Sequence, residues 1–166
     1  MIGRAPGRVP RKPDEGAGAA RPRSLRQRAL ACLARKEWSR AELAARLLAG
    51  GGELVEVDAL LDEFEQAGYL SDARFAAALV RSKAAAYAPR AIERKLREHG
   101  VEREVAQAAL SSLDEVEEIE RARALWLRRF GEPPSDEREK ARQVRFLVAR
   151  GYSPGIAYRV IKAASG

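Results

Sequence analysis

Trp38-Ser39-Arg40-Ala41-Glu42-Leu43, Tyr87-Ala88-Pro89-Arg90-Ala91-Ile92 and Tyr152-Ser153-Pro154-Gly155-Ile156-Ala157 share one pattern: an aromatic, then Ser or Ala, often Pro, then a helix. Aligned on the aromatic without gaps, Leu30, Leu79 and Val144 coincide upstream, and Leu47, Leu96 and Ile161 coincide downstream. The aromatics stand 49 and then 65 residues apart, so the last copy is displaced. Self-similarity on this scale predicts stacked helical units sharing an extended core. Such an array offers a long surface, suited to a long partner.

Charge follows the pattern. Residues 24–52 carry six basic and two acidic side chains, 69–100 seven and three, and 136–166 seven and three. Residues 53–68 carry six acidic and no basic side chains, and 101–135 eight acidic and five basic. In-register stacking therefore predicts one basic and one acidic stripe on a chain of net charge +7.

At 166 residues with 46% hydrophobic side chains but only 6% aromatic, the chain has enough apolar mass for a core. Its Ala and Leu suit close helix packing, and no hairpin dipeptide or long alternating run points to strands. The reading is all α, about nine helices in three tandem three-helix repeats forming an elongated, curved array. Residues 1–23 hold four of the eight prolines and six basic residues, which predicts a disordered basic tail. Repeats are expected over 24–68, 69–113 and 114–166. The lone Cys32 allows no internal disulfide, and the apolar run Phe75 to Val80 is too short to span a membrane. A cytoplasmic location is expected.

Local signals place the helices. The first is expected from Ser24 to Lys36, and the second opens on the capping box Ser39-x-x-Glu42, where each residue's side chain satisfies the other's free N–H. A third runs from Glu53 to about Ala67 with Val57, Leu60, Leu61 and Phe64 inward, ended by Gly68. Ser71 or Asp72 caps the fourth, and Pro89 opens the fifth at a position whose missing N–H has no helical partner. Three further helices are read from Val101 to Leu113, Asp114 to Phe130 and Asp136 to Arg150, and a last one from Pro154. Because the aromatic register leaves the last unit without a third helix, residues 114–130 are expected to fill that space.

No catalytic constellation stands out. His99 and Cys32 are single and far apart, with no metal-ligand spacing. His99, just before Gly100, reads as a helix-end cation, and Cys32 as a small core residue. Gly50-Gly51-Gly52 lacks the Lys-Ser/Thr of a phosphate loop. No enzyme activity and no cofactor are expected.

The positive signals are cations. With Ile92 and Leu96 inward, Arg90, Arg94 and Arg97 share an outer face. With Val144, Leu147 and Val148 inward, Arg138, Arg142 and Arg145 do the same. Arg159 and Lys162 extend this surface, while Arg35, Lys36, Arg40 and Arg46 serve the first unit. Each stripe alone is an ordinary solvated face; recurrence in three units points to a polyanion. Trp38, Tyr87 and Tyr152 could stack on bases, but their place before a helix N-cap reads as a hydrophobic staple.

The chain resembles the RecX family of bacterial recombinase regulators. The resemblance rests on Leu33-Ala34-Arg35-Lys36-Glu37-Trp38-Ser39-Arg40-Ala41-Glu42-Leu43 with Ala29, Leu30 and Leu47. It also rests on Gly68-Tyr69-Leu70-Ser71-Asp72-Ala73-Arg74-Phe75-Ala76, on Pro89-Arg90-x-Ile92 with Leu96 and Gly100-Val101, and on Arg145-Phe146-Leu147 with Arg150-Gly151-Tyr152-Ser153. It covers residues 25 to 163. Arg46 replaces a common Lys, and Ala88 a usual Gly. The resemblance implies binding to RecA–DNA filaments, with restraint of strand exchange, ATP hydrolysis and the co-protease activity that triggers the SOS response. It implies the RecA filament as partner; the basic stripes predict single- and double-stranded DNA bound without sequence preference, and a monomer is expected. Asp58, Asp62 and Glu65, at helical spacing on the third helix, are then candidates for contact with the recombinase. A sequence-independent nucleic-acid binder without a recombinase partner is the alternative.

Overall fold

The computed structural model describes residues 23–113 and 115–165; the expected tail up to residue 22 and the cap at Asp114 lie outside them. Nine helices make up the secondary structure of the described residues: α1 Leu25–Leu33, α2 Arg40–Ala49, α3 Leu54–Gln66, α4 Asp72–Lys83, α5 Pro89–Glu98, α6 Arg103–Leu110, α7 Glu115–Arg129, α8 Glu137–Ala149 and α9 Pro154–Ser165. They form three tandem three-helix repeats, α1–α3, α4–α6 and α7–α9, with the principal packed helix pairs all inside a single repeat.

Each repeat closes its own core. Leu43, Leu61 and Phe64 centre the first, Ala76, Ile92 and Leu96 the second, and Trp126, Leu147 and Ile161 the third, all at most 2% exposed. A fully buried Leu, Ile or Phe side chain among these contributes about 1.5–3 kcal/mol. Helix starts follow the sequence signals. The Ser24 hydroxyl accepts from Gln27 N–H at 3.2 Å while Ser24 N–H donates to Gln27 Oε1 at 3.0 Å, a full capping box. Ser71 caps α4 by accepting from Arg74 N–H.

The box expected at Ser39 and Glu42 is only half formed. Ser39 Oγ accepts from Glu42 N–H at 3.1 Å, but the Glu42 carboxylate turns instead to His99 Nδ1 at 2.9 Å. The reason is a junction between repeats. Ser39, the N-cap of α2, donates its hydroxyl hydrogen to the carbonyl of His99, the C-cap of α5, at 2.6 Å. Ala88, the N-cap of α5, donates its N–H to the carbonyl of Arg150, the C-cap of α8, at 2.9 Å. The three second helices thus abut end to end.

Glycine makes this approach possible. Gly51, Gly100 and Gly151 follow α2, α5 and α8, all with φ between +75° and +94°. A Cβ on Gly151 would lie 2.6 Å from Ala91 Cβ, and one on Gly100 would fall on Ala41.

These glycines correct the register of the last repeat. With Gly100 matched to Gly151, α8 corresponds to α5 and α9 to α6. Tyr152 then takes the place of Val101; both are buried, at 2% and 3% exposure. Tyr152 is therefore not the equivalent of Trp38 and Tyr87, and α7 is a first helix rather than a displaced third one. It packs against α9, as α4 packs against α6. A second correction concerns α8, whose inner face is Gln143, Val144 and Leu147, whereas Val148 is 40% exposed. Gln143 is drawn inside because its Oε1 accepts from the buried Trp126 Nε1 at 2.8 Å.

Candidate nucleic-acid and partner surface

Eight of the twelve candidate cations lie on the abutting second helices: Arg40 and Arg46 on α2, Arg90, Arg94 and Arg97 on α5, and Arg138, Arg142 and Arg145 on α8. At about 1.5 Å per residue these helices supply roughly 50 Å of length. Duplex DNA carries one charge per about 1.7 Å of axis, so that length matches roughly 15 base pairs.

Most of these cations are free. Arg46, Arg90, Arg97, Arg138 and Arg145 are exposed and form no ion pair among the described residues. Arg94 lies 3.6 Å from Glu98, and Arg142 lies 3.2 Å from Glu139. Glu139 also accepts from the N–H and hydroxyl of Ser135, which hold its carboxyl below the usual range. Arg90, Arg94 and Arg97 come together along a groove of about 520 Å³ at the junction of repeats 2 and 3, walled by Val148 and Gly151. The exposure of Val148 is thereby accounted for. Arg159 and Lys162 are exposed but sit on α9, outside the line of second helices.

Arg40 differs from the others. Its guanidinium meets Asp58 at 3.5 Å, Asp62 at 2.8 Å and Glu65 at 2.7 Å on the facing side of α3. Burial alone would lower its pKa; the hydrogen bond to Asp62 and the charges of Glu65 and Asp62 outweigh this and raise it. The three acidic candidates therefore form one ridge, gathered by a cation expected on the basic side. They remain open to solvent, at 59%, 61% and 39% exposure.

Lys36 sits over the Trp38 ring at 4.0 Å, and Trp38 Nε1 donates to the Cys32 carbonyl at 3.1 Å. Trp38 packs partly against the first core, Tyr87 is half-buried, and Tyr152 is buried with its hydroxyl pKa raised by loss of water. Arg35 and Arg46 meet in a second groove, and with them stand Arg23 and Arg28, which sequence reasoning missed. Arg28 lies two helical turns before Arg35, a spacing that could have flagged it. Its guanidinium donates to the carbonyls of Leu47 and Gly50 and so caps the C-terminus of α2. His99 does more than end α5: its ring meets Glu42 across the first junction and packs edge-on against Phe75 of its own repeat.

Among the described residues no group of His, Cys, Asp and Glu could hold a metal, and no helix is long and apolar enough to cross a membrane. Residues 71–110 match the family description "RecX, second three-helix domain" and residues 115–161 "RecX, third three-helix domain". Regulatory protein RecX of Leptothrix cholodnii is 43% identical over 141 residues, 85% of this chain and 89% of that one. The chain belongs to the RecX family. The RecX of Ralstonia nicotianae is 42% identical over 146 residues, 86% of this chain and 89% of its own. The crystal structure of RecX from Lactobacillus salivarius shares the fold at TM-score 0.73 and 18% identity, covering 85% of this chain and 94% of that one. The RecX third-domain match spans α7, α8 and the first two-thirds of α9, the helix order that the glycine junctions define.

Proposed function

We propose that this chain binds RecA–DNA filaments and restrains their strand exchange, ATP hydrolysis and co-protease activity, thereby regulating DNA repair and the SOS response. The observation that carries the reading is a RecX chain whose unpaired arginines lie along three abutting helices. A filament groove has phosphates at its base and protein walls beside it. A rod of helices with arginines toward the phosphates and an acidic ridge toward the wall fits such a groove. The protein acts as a monomer in the cytoplasm and binds single- and double-stranded DNA without sequence preference.

The deciding experiment measures DNA-dependent ATP hydrolysis by the cognate RecA. Substoichiometric protein is expected to slow it. DNA binding with hydrolysis unchanged at saturating protein, at both low and moderate salt, would favour the sequence-independent binder instead.

The acidic ridge is tested separately, as the contact with recombinase. Asp58→Asn, Asp62→Asn and Glu65→Gln together are expected to strengthen binding to bare DNA, because repulsion is removed and Arg40 is released. Filament affinity is expected to fall, by about fivefold for exposed pairs worth roughly 0.2–1 kcal/mol each. Two DNA titrations, with and without recombinase, read the opposite signs; strengthening in both would make the ridge a solvated face.

A further inference from the structure

The groove of repeat 1 differs from the groove at the second junction. Arg23, Arg28, Arg35 and Arg46 line it, no Asp or Glu does, and its volume is about 540 Å³. The junction groove, by contrast, includes Glu118. A concave wall bearing only positive charge focuses the field on whatever enters. The end of a helix normally repels an anion through its free carbonyls, but here Arg28 occupies those of Leu47 and Gly50. Arg23, Arg35 and Arg46 are left without an ion-pair partner among the described residues.

The rest of the wall is apolar. Trp38, Cys32 and Ala31 stand beside the arginines. A duplex backbone presents only phosphate and sugar to such a surface and leaves its apolar part unused. An unpaired nucleotide offers both a phosphate and a flat base with an apolar face, and aromatic walls beside basic grooves take up bases in this way. The volume admits one nucleotide, whereas a duplex is too wide to enter.

From this combination we propose that repeat 1 holds an unpaired nucleotide of a single strand. Its phosphate lies among Arg23, Arg35 and Arg46, and its base against Trp38 and Cys32. The proposal rests on the nucleic-acid reading above and adds to it a preference for single strands located in one repeat. The ammonium of Lys36 covers one face of the Trp38 ring at 4.0 Å and is not among the residues that line the groove.

Tryptophan fluorescence tests it. The other tryptophan, Trp126, is 2% exposed and bonded to Gln143, so quenching by a ligand reports on Trp38. An oligo-dT strand is expected to quench the emission as it binds, while a duplex of equal length, bound to the same degree by anisotropy, quenches little. Arg23→Gln with Arg35→Gln, both exposed and off the line of second helices, should weaken the single strand by about tenfold and the duplex much less. Tenfold corresponds to about 1.4 kcal/mol, here the loss of two cations facing one phosphate. Trp38→Phe, with helix content checked by circular dichroism, should abolish the quench. An oligo-rU arm reads whether the sugar matters: equal quenching assigns the pocket to any single strand, weaker quenching to DNA. Anisotropy that reports binding while Trp38 emission stays constant would overturn the pocket and leave the nucleic-acid reading standing. Anisotropy flat for strand and duplex alike would overturn both.

Discussion

Replacing Arg90, Arg97, Arg138 and Arg145 together by Gln is expected to reduce DNA affinity by roughly a hundredfold at moderate salt. It should also make the slope of log affinity against log salt less steep by about three to four. Each cation that neutralises a phosphate displaces condensed counterions and contributes about 0.7–0.9 to that slope. These four are exposed and form no ion pair among the described residues, so their removal leaves no carboxylate without its partner. Helix content should not change, since the second and third cores are built from the opposite faces of α5 and α8. A salt titration by fluorescence anisotropy decides the matter. An unaltered slope removes the second helices from the DNA-facing surface.

The glycine junctions give the largest structural prediction. Gly100→Ala and Gly151→Ala each place a Cβ in a left-handed conformation, at about 1–2 kcal/mol. Each also drives that Cβ into Ala41 or Ala91 of the preceding repeat, at a further 1–3 kcal/mol. The expected loss is about 2–5 kcal/mol, read as a fall in the urea midpoint. Gly68→Ala is the control, because Gly68 has φ +76° but nothing within 4 Å of an added Cβ. It should lose only the conformational part. Equal losses in all three variants would mean that the junctions yield freely and that the second helices do not depend on their contact.

The sequence made the fold legible because helix starts and stops are local events. Ser24, Ser39, Pro89 and the glycines after each helix mark them without reference to the rest of the chain. Core positions such as Ile92, Leu96 and Leu147 were equally legible, since a 3.6-residue period records which face meets neighbours. The third repeat was misregistered because Tyr152-Ser153-Pro154 and Tyr87-Ala88-Pro89 both mark a helix start, and a local motif does not say which helix of a repeat is starting. His99-Gly100-Val101 and Arg150-Gly151-Tyr152 carried the correct register, but their equivalence is visible only when α2 and α5 dock on them. The same holds for single residues. Glu42 leaves its box for His99, 57 positions away. Gln143 is taken inward by Trp126, and Arg40 is claimed by carboxylates of the next helix. Of the candidate surface, the free arginines were readable from amphipathic spacing. The grooves that gather them were not, since those depend on contacts between elements.

The two junctions are unlike in chemistry, and this bears on how the chain comes apart. Repeat 1 is joined to repeat 2 by polar links: Ser39 to His99, Arg40 N–H to Asp72, Glu42 to His99 and Arg74 to Glu37. Repeat 2 is joined to repeat 3 through Ala88, which is fully buried inside the third core, with hydrogen bonds from Ala88 N–H to the Arg150 carbonyl and from Arg128 to the Ala85 carbonyl beside it. In a linear array, stability is a sum of unit terms and nearest-neighbour terms, and the weakest boundary sets where opening begins. Opening the first boundary would leave the buried Ser39 and its part-buried hydrogen bonds unmade, whereas opening the second would expose the apolar Ala88. The first boundary is therefore expected to weaken with added salt or on neutralising Glu37, Glu42 or Asp72, and the second on making Ala88 larger or polar.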